Sequence, residues 1–524
     1  MRILIQVFLC GLLLLSSTEK VYAQTTSIGA TDFGAPHEME TFVDVAECNH
    51  RLREDIREAG KPVHSKAEIW IATWSWSNDF YMDADKATLV EEIKTALISN
   101  PNLKVYVLLW DMPLAANFFL KLGWSHFNQS LAVEGWSNDL KRRFIVARES
   151  LLLKHPVSSA HQKFMLIQFG DDSAAYCFDF NFQNFFWDWN DHDVARRIAC
   201  GFKLPPVHDT AIRFKGSAVA DFRREFLFRW LKCKNSKHEP SATFTSLAGA
   251  KSIPYLRARF QHPGTKGGDI KEWYRSAIQN AHDYIYLENQ FLDDQDISDD
   301  LIKAYFRGLS YPQPNIIVNL CSIAILEPKS QVNGTLRQVM RIRLSTAEQI
   351  ELANGVVIRR TSPWEKVLVN KSATECSIRG LEFNGTIKLD QIKRLNGGIR
   401  FYTMLTAAAA PKVGFEPIYI HSKLGLIDNQ LTIGSANQNR RSYGTDYEAN
   451  VMVTDLNNTK EVESLRNRIL SVLTASNVVS STPFQKIEQT AELNTKMQFA
   501  NPPTNPIGMV MHYPFCKNVR KHRH

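Results

Sequence analysis

The stretch from Ile418 to Asn439 contains a histidine, a lysine and an aspartate in an arrangement that suits chemistry on a phosphate. His421, Lys423 and Asp428 follow one another in an H-x-K-x4-D spacing, within an apolar run that predicts a buried strand. Residues two apart on a strand share a face, so His421 and Lys423 are expected in one site. A nucleophilic imidazole and a cation would then meet the same phosphodiester.

Three further residues complete the predicted site. Asp428 falls at the strand end, where we expect its carboxylate to orient the His421 imidazole. Ser435 and Asn437, within a Gly-Ser-Ala-Asn sequence, offer hydrogen-bond donors to a phosphoryl oxygen. Together these residue types predict phosphoryl transfer.

A weaker copy of the pattern lies in the first part of the chain, at His161 and Lys163. The strand that follows is equally apolar, but Gln168 occupies the aspartate position and the Gly-Ser pair is missing. Two histidines are what a double displacement at phosphorus requires, one as the nucleophile and one as the proton donor. Glutamine can orient an imidazole by hydrogen bonding but supplies no charge, so Gln168 predicts a slower enzyme.

The paired motifs resemble those of the phospholipase D superfamily, in which two halves of one chain build one active site. The segments YIYLENQFL (284–292), RFYTMLT (400–406) and residues 208–230 are also similar to stretches of family phospholipases. The resemblance implies an α/β fold of two similar α-β-α sandwich halves, packed about a pseudo-twofold axis around one shared site. It also implies that His161 is the nucleophile and His421 the general acid.

The reaction that the resemblance implies is hydrolysis of the head-group phosphodiester of glycerophospholipids, phosphatidylcholine above all, to phosphatidate through a phosphohistidine. Transfer to another alcohol in place of water stays open. Such chemistry requires neither metal nor cofactor, so none is assigned. Two alternative functions also stay open: a secreted nuclease for single-stranded nucleic acid, and a catalytically weakened protein that binds phospholipid without turnover. The sequence shows no stripe of Lys and Arg with stacking aromatics around the motifs, which favours lipid over nucleic acid.

Several other residues are expected to support the site. Glu288 and Asn289 are polar residues at the end of a predicted strand. Glu448 resembles a family position near the second motif, where it either supports the site or forms an ordinary ion pair. Trp74 and Trp76 lie two apart on the corresponding strand of the first half, where they either face the site or pack in the core.

Strand and helix patterns recur in the two parts of the chain. Residues 64–76 and 105–111 predict two strands separated by a helix, and residues 280–291 and 315–320 repeat that order. Strands that alternate with helices predict α/β layers with a central sheet. The expected domains are a first half over residues 24–240, a second half over 241–480 and a C-terminal extension over 481–524.

The N-terminus predicts export. Arg2 precedes an apolar run over residues 3–15, and a small-x-small cleavage pattern ends at Ala23, so residues 1–23 are expected to be a cleaved signal peptide. The run is shorter than the roughly 20 residues that a membrane-spanning helix needs. An uncleaved anchor is the disfavoured alternative, and the predicted location is extracellular.

An exported chain is expected to be glycosylated and partly disulfide-bonded. Glycan acceptor patterns occur at Asn333, Asn370 and Asn384. Of the eight cysteines, Cys10 falls in the predicted signal, and the odd number that remains leaves at least one that is free or pairs with another chain. The cysteine spacing matches no zinc-site pattern.

The formal net charge of +8 is mildly basic for a chain of 524 residues. Such a charge is compatible with anionic phosphate ligands and with membrane surfaces, and does not choose between them. The expected partner is a phospholipid membrane surface as substrate, with nucleic acid unexpected and no protein partner implied. Because the chain supplies both motifs itself, a monomer is expected.

Overall fold

Two large β-sheets carry the residues singled out above. The computed structural model describes, apart from isolated residues, residues 38–83, 86–110, 135–149, 158–202, 206–233, 255–265, 268–291, 399–409, 413–455, 460–476, 483–497 and 504–512, and the backbone of short strands between 315 and 388.

The first sheet has seven strands, all from the first half of the chain. In chain order the elements are β1 (Glu38–Val43), α1 (Val45–Ala59), β2 (Ala67–Thr73), α2 (Leu89–Ser99), β3 (Lys104–Trp110), α3 (Asn138–Arg143), β4 (Phe144–Glu149), β5 (Phe164–Phe169), β6 (Asp172–Phe178), α4 (Val194–Ala199), β7 (Val207–His208), β8 (Thr210–Lys215) and α5 (Ala218–Trp230). The strands lie side by side in the order β1-β8-β6-β5-β2-β3-β4.

The second sheet has nine strands from the second half. Its elements begin with β9 (Tyr255–Gln261), α6 (Asp269–Asn280), β10 (Tyr284–Asn289) and β11 (Asn315–Leu320). Seven short strands follow: β12 (Ser330–Val332), β13 (Thr335–Arg337), β14 (Ala347–Glu351), β15 (Val357–Thr361), β16 (Leu368–Asn370), β17 (Cys376–Arg379) and β18 (Thr386–Lys388). They pair among themselves, outside the large sheet.

The chain then returns to the second sheet. The remaining elements are β19 (Ile399–Ala407), β20 (Phe415–Pro417), β21 (Tyr419–Ile420), β22 (Lys423–Ile427), β23 (Gln430–Gly434), β24 (Glu448–Thr454), α7 (Glu461–Thr474), α8 (Pro483–Met497) and β25 (Val510–His512). The strand order is β20-β19-β11-β10-β22-β23-β24-β9, and β25 pairs with β19.

The two sheets share one strand order and one set of strand directions. The series β1-β8-β6-β5-β2-β3-β4 of the first sheet corresponds to β9-β24-β23-β22-β10-β11-β19 of the second. In the first sheet, β2 pairs in parallel with β3 and antiparallel with β5, the strand that follows His161. In the second sheet, β10 pairs in parallel with β11 and antiparallel with β22, the strand that follows His421. The predicted α/β fold is therefore confirmed, whereas the pseudo-twofold axis and the domain limits stay predictions.

Local sequence accounts for the central strands. Every residue of β2, β10 and β22 is buried, and their sequences are mostly apolar without a regular alternation of polar and apolar residues. Such runs are typical of strands covered on both faces. In sequence, α2 lies between β2 and β3. It begins at a capping box, in which the side chains of Thr88 and Glu91 each accept the backbone N–H of the other residue.

Two short backbone pairings join the halves beside the motifs. The strand β21, directly before His421, pairs in parallel with β7 of the first half. Ala160, directly before His161, forms a parallel bridge with Tyr447 of the second half. Each histidine is therefore held next to backbone from the opposite half.

Several predictions fall outside the described residues, namely the signal peptide and the side chains of the three glycan acceptor asparagines. Within the described residues, no helix is long and apolar enough to cross a membrane. Among the described residues, Cys48, Cys177 and Cys200 are free thiols, so the predicted disulfides do not involve these three cysteines.

Candidate active site

Each motif histidine is held by a carboxylate from the other half of the chain. The Nδ1 atom of His161 lies 3.0 Å from both carboxylate oxygens of Glu448, at the start of β24. The Nδ1 atom of His421 lies 2.7 Å from Oδ1 of Asp209, which directly precedes β8. With Nδ1–H donated to a carboxylate, each Nε2 atom is left to react.

The backbone pairings between the halves bring these groups together. The carbonyl of His208 accepts the N–H groups of both His421 and Ser422, which places the next residue, Asp209, against the His421 ring. The carbonyl of Ser159 accepts the N–H of Tyr447 in the same way, next to Glu448. Neither carboxylate can reach its histidine unless both halves are folded together.

The two motif lysines lie on the same side as the histidines and are fully buried. Lys163 Nζ donates to the carbonyl of His161, and Lys423 Nζ donates to the carbonyl of His421. An ammonium carries three N–H donors, and each of these contacts uses one of them. Lys163 and Lys423, one from each motif, both lie close enough to His161 for their charges to act on it.

The prediction that Asp428 orients His421 is wrong. The Asp428 carboxylate instead accepts the backbone N–H groups of His282, Asp283 and Tyr284, at distances of 2.8 to 2.9 Å, where β10 begins. Asp428 therefore closes the far end of the motif strand, away from the imidazole, and fixes the neighbouring strand by charge-assisted hydrogen bonds.

Gln168 takes the corresponding place in the first half. Its side-chain amide donates to the carbonyl of Gly170, and its Oε1 atom accepts the N–H of Phe244 at 3.4 Å. Because Glu448 supplies the charge beside His161, glutamine at position 168 is no longer expected to slow the enzyme. The structure gives Gln168 a local role in the β5–β6 hairpin.

Ser435 supports a carboxylate instead of facing a phosphate. Its hydroxyl donates to Glu448 Oε2 at 2.5 Å and accepts the N–H of Ala449. The Asn437 backbone N–H donates to Ser442, while its side-chain oxygen is buried without a hydrogen-bond partner among the described residues. The unused Asn437 atom is an acceptor, so it is not a donor to a phosphoryl oxygen.

The expected supporting residues do lie beside the motifs. Glu288 accepts hydrogen bonds from Ser422, between the second-motif histidine and lysine, and from Tyr286. The same carboxylate lies 3.0 Å from Nε2 of His208. Asn289 accepts the N–H of Gln438 and so fixes the loop after β23.

Aromatic rings flank both imidazoles. Trp74 meets the His161 ring edge-on, with 5.8 Å between ring centroids, whereas Trp76 is fully buried in the core. The ring centroid of Phe186 lies 4.5 Å from that of His421. The His161 side chain is 15% exposed and the His421 side chain 5%, so the site is shielded but reachable.

Burial and mutual repulsion adjust the charges of the site. Burial lowers the pKa of His161 well below its ordinary value, and the neighbouring Lys163 and Lys423 lower it further. Burial also lowers the pKa of Lys163 to about 7, with Glu448 opposing the shift. The pKa of Glu448 rises to about 7 because it is buried, although Lys163 opposes this. An unprotonated His161 suits a nucleophile.

A buried cluster behind the site could hold a metal ion. Ligand atoms of Asp44, His192 and His208 lie within 4.8 Å of one another, and the other ring nitrogen of each histidine faces a carboxylate, Asp188 or Glu288. Carboxylates that orient imidazoles are common behind metal ligands. Because its members are far apart in sequence, motif spacing does not reveal this cluster.

The same cluster is also a chain of alternating acids and bases. Burial disfavours a charged imidazole, but Asp44 and Glu288 outweigh it and hold the pKa of His208 well above its ordinary value. This series of hydrogen-bonded side chains reaches the second motif through Glu288 and Ser422. It therefore fixes the backbone next to His421.

Sequence reasoning missed Asp209 altogether. Its partner His421 is 212 residues away, so no local spacing links them. The position of Asp209 in the repeat could have indicated its role. Asp209 directly precedes β8 and Glu448 begins β24, and these two strands correspond in the shared strand order.

Comparison with known proteins adds to this geometry. The family model described as "Cardiolipin synthase, PLD-like domain" matches residues 274–470. Human phospholipase D1 is 26% identical over 280 residues, which cover 48% of this chain and 24% of that protein. Phospholipase D A of Dictyostelium discoideum is 26% identical over 258 residues, 46% of this chain and 18% of that protein. The chain thus spans a quarter or less of the length of these relatives.

Among solved structures, phosphatidylserine synthase of Haemophilus influenzae aligns with a TM-score of 0.49 at 13% identity, covering 87% of this chain and 91% of that one. Yeast tyrosyl-DNA phosphodiesterase aligns with a TM-score of 0.40 at 10% identity, covering 80% and 89%.

The placement of Asp428 predicts a structural effect. We expect Asp428→Asn to lower the free energy of unfolding by about 1 to 2 kcal/mol, because three charge-assisted hydrogen bonds lose their charge. Urea denaturation followed by circular dichroism measures the change. The matched control is Asp171→Asn, in the corresponding hairpin of the first half, where an exposed carboxylate contacts exposed Lys66. Equal changes in the two variants would contradict the assignment.

Proposed function

We propose that the chain belongs to the phospholipase D superfamily and that it hydrolyses the head-group phosphodiester of glycerophospholipids, phosphatidylcholine in particular, to phosphatidate. The observation that carries this proposal is the pair of imidazoles, each held at Nδ1 by a carboxylate of the other half and each followed by a buried lysine. Two relatives named phospholipase D support the lipid assignment.

The first step forms a covalent intermediate. The Nε2 lone pair of neutral His161 attacks phosphorus, a P–N bond forms, and the bond from phosphorus to the head-group oxygen breaks. His421 donates its Nε2 proton to that oxygen, so the head group leaves as an alcohol and not as an alkoxide. Lys163 and Lys423 offset the charge on the non-bridging oxygens as it redistributes in the transition state.

The second step reverses these roles. His421, now neutral, takes a proton from water as the water oxygen attacks phosphorus. The P–N bond breaks, phosphatidate leaves, and His161 returns to its neutral form with His421 protonated again. An alcohol in place of water would give transfer instead of hydrolysis. Glu448 and Asp209 keep the two rings in place throughout, because each accepts an Nδ1–H.

We further propose that the protein acts outside the cell, on the basis of its predicted signal peptide, and that it meets its substrate at a membrane surface. The aromatic rings beside the imidazoles, Trp74 and Phe186, are suited to apolar or quaternary ammonium groups next to the scissile bond. The two alternatives, a nuclease and a lipid-binding protein without turnover, are outcomes of the test that follows.

We expect the wild-type protein to release choline from phosphatidylcholine vesicles, and His421→Ala to lose at least about 100-fold in rate because the alkoxide then leaves without a proton. Release of nucleotides from single-stranded DNA is measured in parallel. Nucleotide release without choline release would identify a nuclease. Vesicle binding without either product would identify a non-catalytic binder.

The ratio kcat/KM for this reaction should follow a bell-shaped pH profile with its maximum close to pH 7. Glu448 must be charged to support His161, so activity falls as pH drops below its pKa of about 7. Lys163 must be protonated, so activity also falls as pH rises above its pKa of about 7. Glu448→Gln should remove the acid limb. A flat wild-type profile from pH 5.5 to 8.5 would contradict this account.

A further inference from the structure

The buried cluster of Asp44, His192 and His208 has the residue types and the spacing of a zinc site. The Oδ2 atom of Asp44 lies 3.3 Å from Nε2 of His192 and 3.2 Å from Nδ1 of His208, and one ligand atom of each residue lies within 4.8 Å of the others. Zinc holds nitrogen and oxygen ligands at about 2.0 to 2.1 Å in a tetrahedron, which places two ligand atoms roughly 3.3 Å apart. The spacing around Asp44 therefore fits ligands that share one ion.

A carboxylate orients the outer nitrogen of each imidazole. Nδ1 of His192 lies 3.0 Å from Oδ2 of Asp188, and Nε2 of His208 lies 3.0 Å from Oε2 of Glu288. A proton donated to these carboxylates leaves the nitrogen that faces Asp44 with its lone pair, which is the form of histidine that binds a metal. Nε2 of His192 is buried and, despite its distance of 3.3 Å to Asp44, forms no hydrogen bond among the described residues. This atom therefore lacks the partner that a metal ion would supply.

The charge of the cluster also favours a divalent cation. Asp44, Asp188 and Glu288 are buried, and the guanidinium of Arg197 lies 3.1 Å from Asp188. Among these described members, three carboxylates face one guanidinium while both imidazoles are neutral, and uncompensated buried charge is costly. One Zn²⁺ ion would balance the remaining negative charge. The competing arrangement places protons on the imidazoles, with Nδ1 of His208 donating to Asp44.

The Asp44 side chain does not cap the helix that follows it. Asp44 directly precedes α1, where an aspartate usually accepts a backbone N–H of the first turn, but it forms no such bond. Its φ of 67° and ψ of 161° lie in a region that is almost confined to glycine. His192 also has a positive φ, of 48°. Two members of the cluster thus keep unfavourable backbone conformations that direct their side chains to a common point.

A cavity at the surface lies beside two members of the cluster. Its volume is about 590 Å³, and it is lined by Val43, Asn190 and residues of α7 that include Arg468. Val43 adjoins Asp44, and Asn190 lies two residues before His192. A metal site needs an entry path, and this cavity borders the backbone of two of its side chains.

We propose that Asp44, His192 and His208 bind one zinc ion in a structural site that fixes the backbone beside His421. Three protein ligands leave the fourth tetrahedral position to water. The ion acts through His208, whose carbonyl accepts the N–H of His421. The residue after His208 is Asp209, which holds the His421 ring. Binding of the ion is independent of the reaction that the active site performs.

The test is the zinc content of the full-length chain, produced with zinc in the medium, purified without a histidine tag and measured by inductively coupled plasma mass spectrometry. We expect about one zinc ion per wild-type chain, and at least about 10-fold less in His192→Gln because a ligand is lost. The matched control is His262→Gln, since His262 also lies 2.9 Å from a carboxylate, Glu225, but outside the cluster. This control should keep its zinc. Equal loss in both variants, or zinc retained in His192→Gln, would overturn the proposal.

A second measurement uses the wild-type chain alone, in case His192→Gln does not fold. Removal of zinc with EDTA should lower Tm by roughly 3 °C or more, and ZnCl₂ should restore it, because an ion that binds only the folded state stabilises that state. A wild-type chain that purifies without zinc, and whose Tm does not respond to ZnCl₂, would overturn the proposal and leave protons as the balancing charge. Neither measurement uses a substrate, so failure of this proposal is distinct from failure to release choline.

Discussion

The exchange of carboxylates between the two halves is the interaction on which the site depends. Glu448 reaches from the second half to His161, and Asp209 reaches from the first half to His421. Each exchange is fixed by a short backbone pairing next to the histidine, β7 with β21 and Ala160 with Tyr447. One half alone would expose a histidine without its carboxylate and a carboxylate without its histidine, so chemistry requires the whole pair.

Burial makes an unpaired charge in these contacts costly, and it also strengthens the effect of each charge on its neighbours. Both lysines and both orienting carboxylates are almost or fully inaccessible to water, where an unpaired charge is costly. Ser435 donates a hydrogen bond to Glu448, whereas Oδ2 of Asp209 is buried without a hydrogen-bond partner among the described residues. The same low exposure lets neighbouring charges shift proton affinities by large amounts, which is how two similar imidazoles can take different roles.

The sequence predicts the strands and the paired His and Lys residues, because apolar runs and an H-x-K spacing are local patterns. It also points to Glu448 and Glu288 as support. It does not carry the pairing of Asp209 with His421, since those residues meet only through the packing of distant segments. Asp428 has the expected spacing but not the expected contact. Because it lies at the other end of its strand from the His421 ring, its carboxylate accepts backbone N–H groups at the start of β10.

Single-turnover formation of the histidine adduct from a nitrophenyl phosphodiester, located by mass spectrometry in wild type, Glu448→Gln and Asp209→Asn, separates the roles of the two histidines. Nitrophenolate leaves without a proton, so the acid side of the site is not needed for this step. We expect the phosphoester adduct on His161, formed at least about 10-fold more slowly in Glu448→Gln and at nearly the wild-type rate in Asp209→Asn. An adduct on His421, or slowing confined to Asp209→Asn, would show that these roles are assigned wrongly.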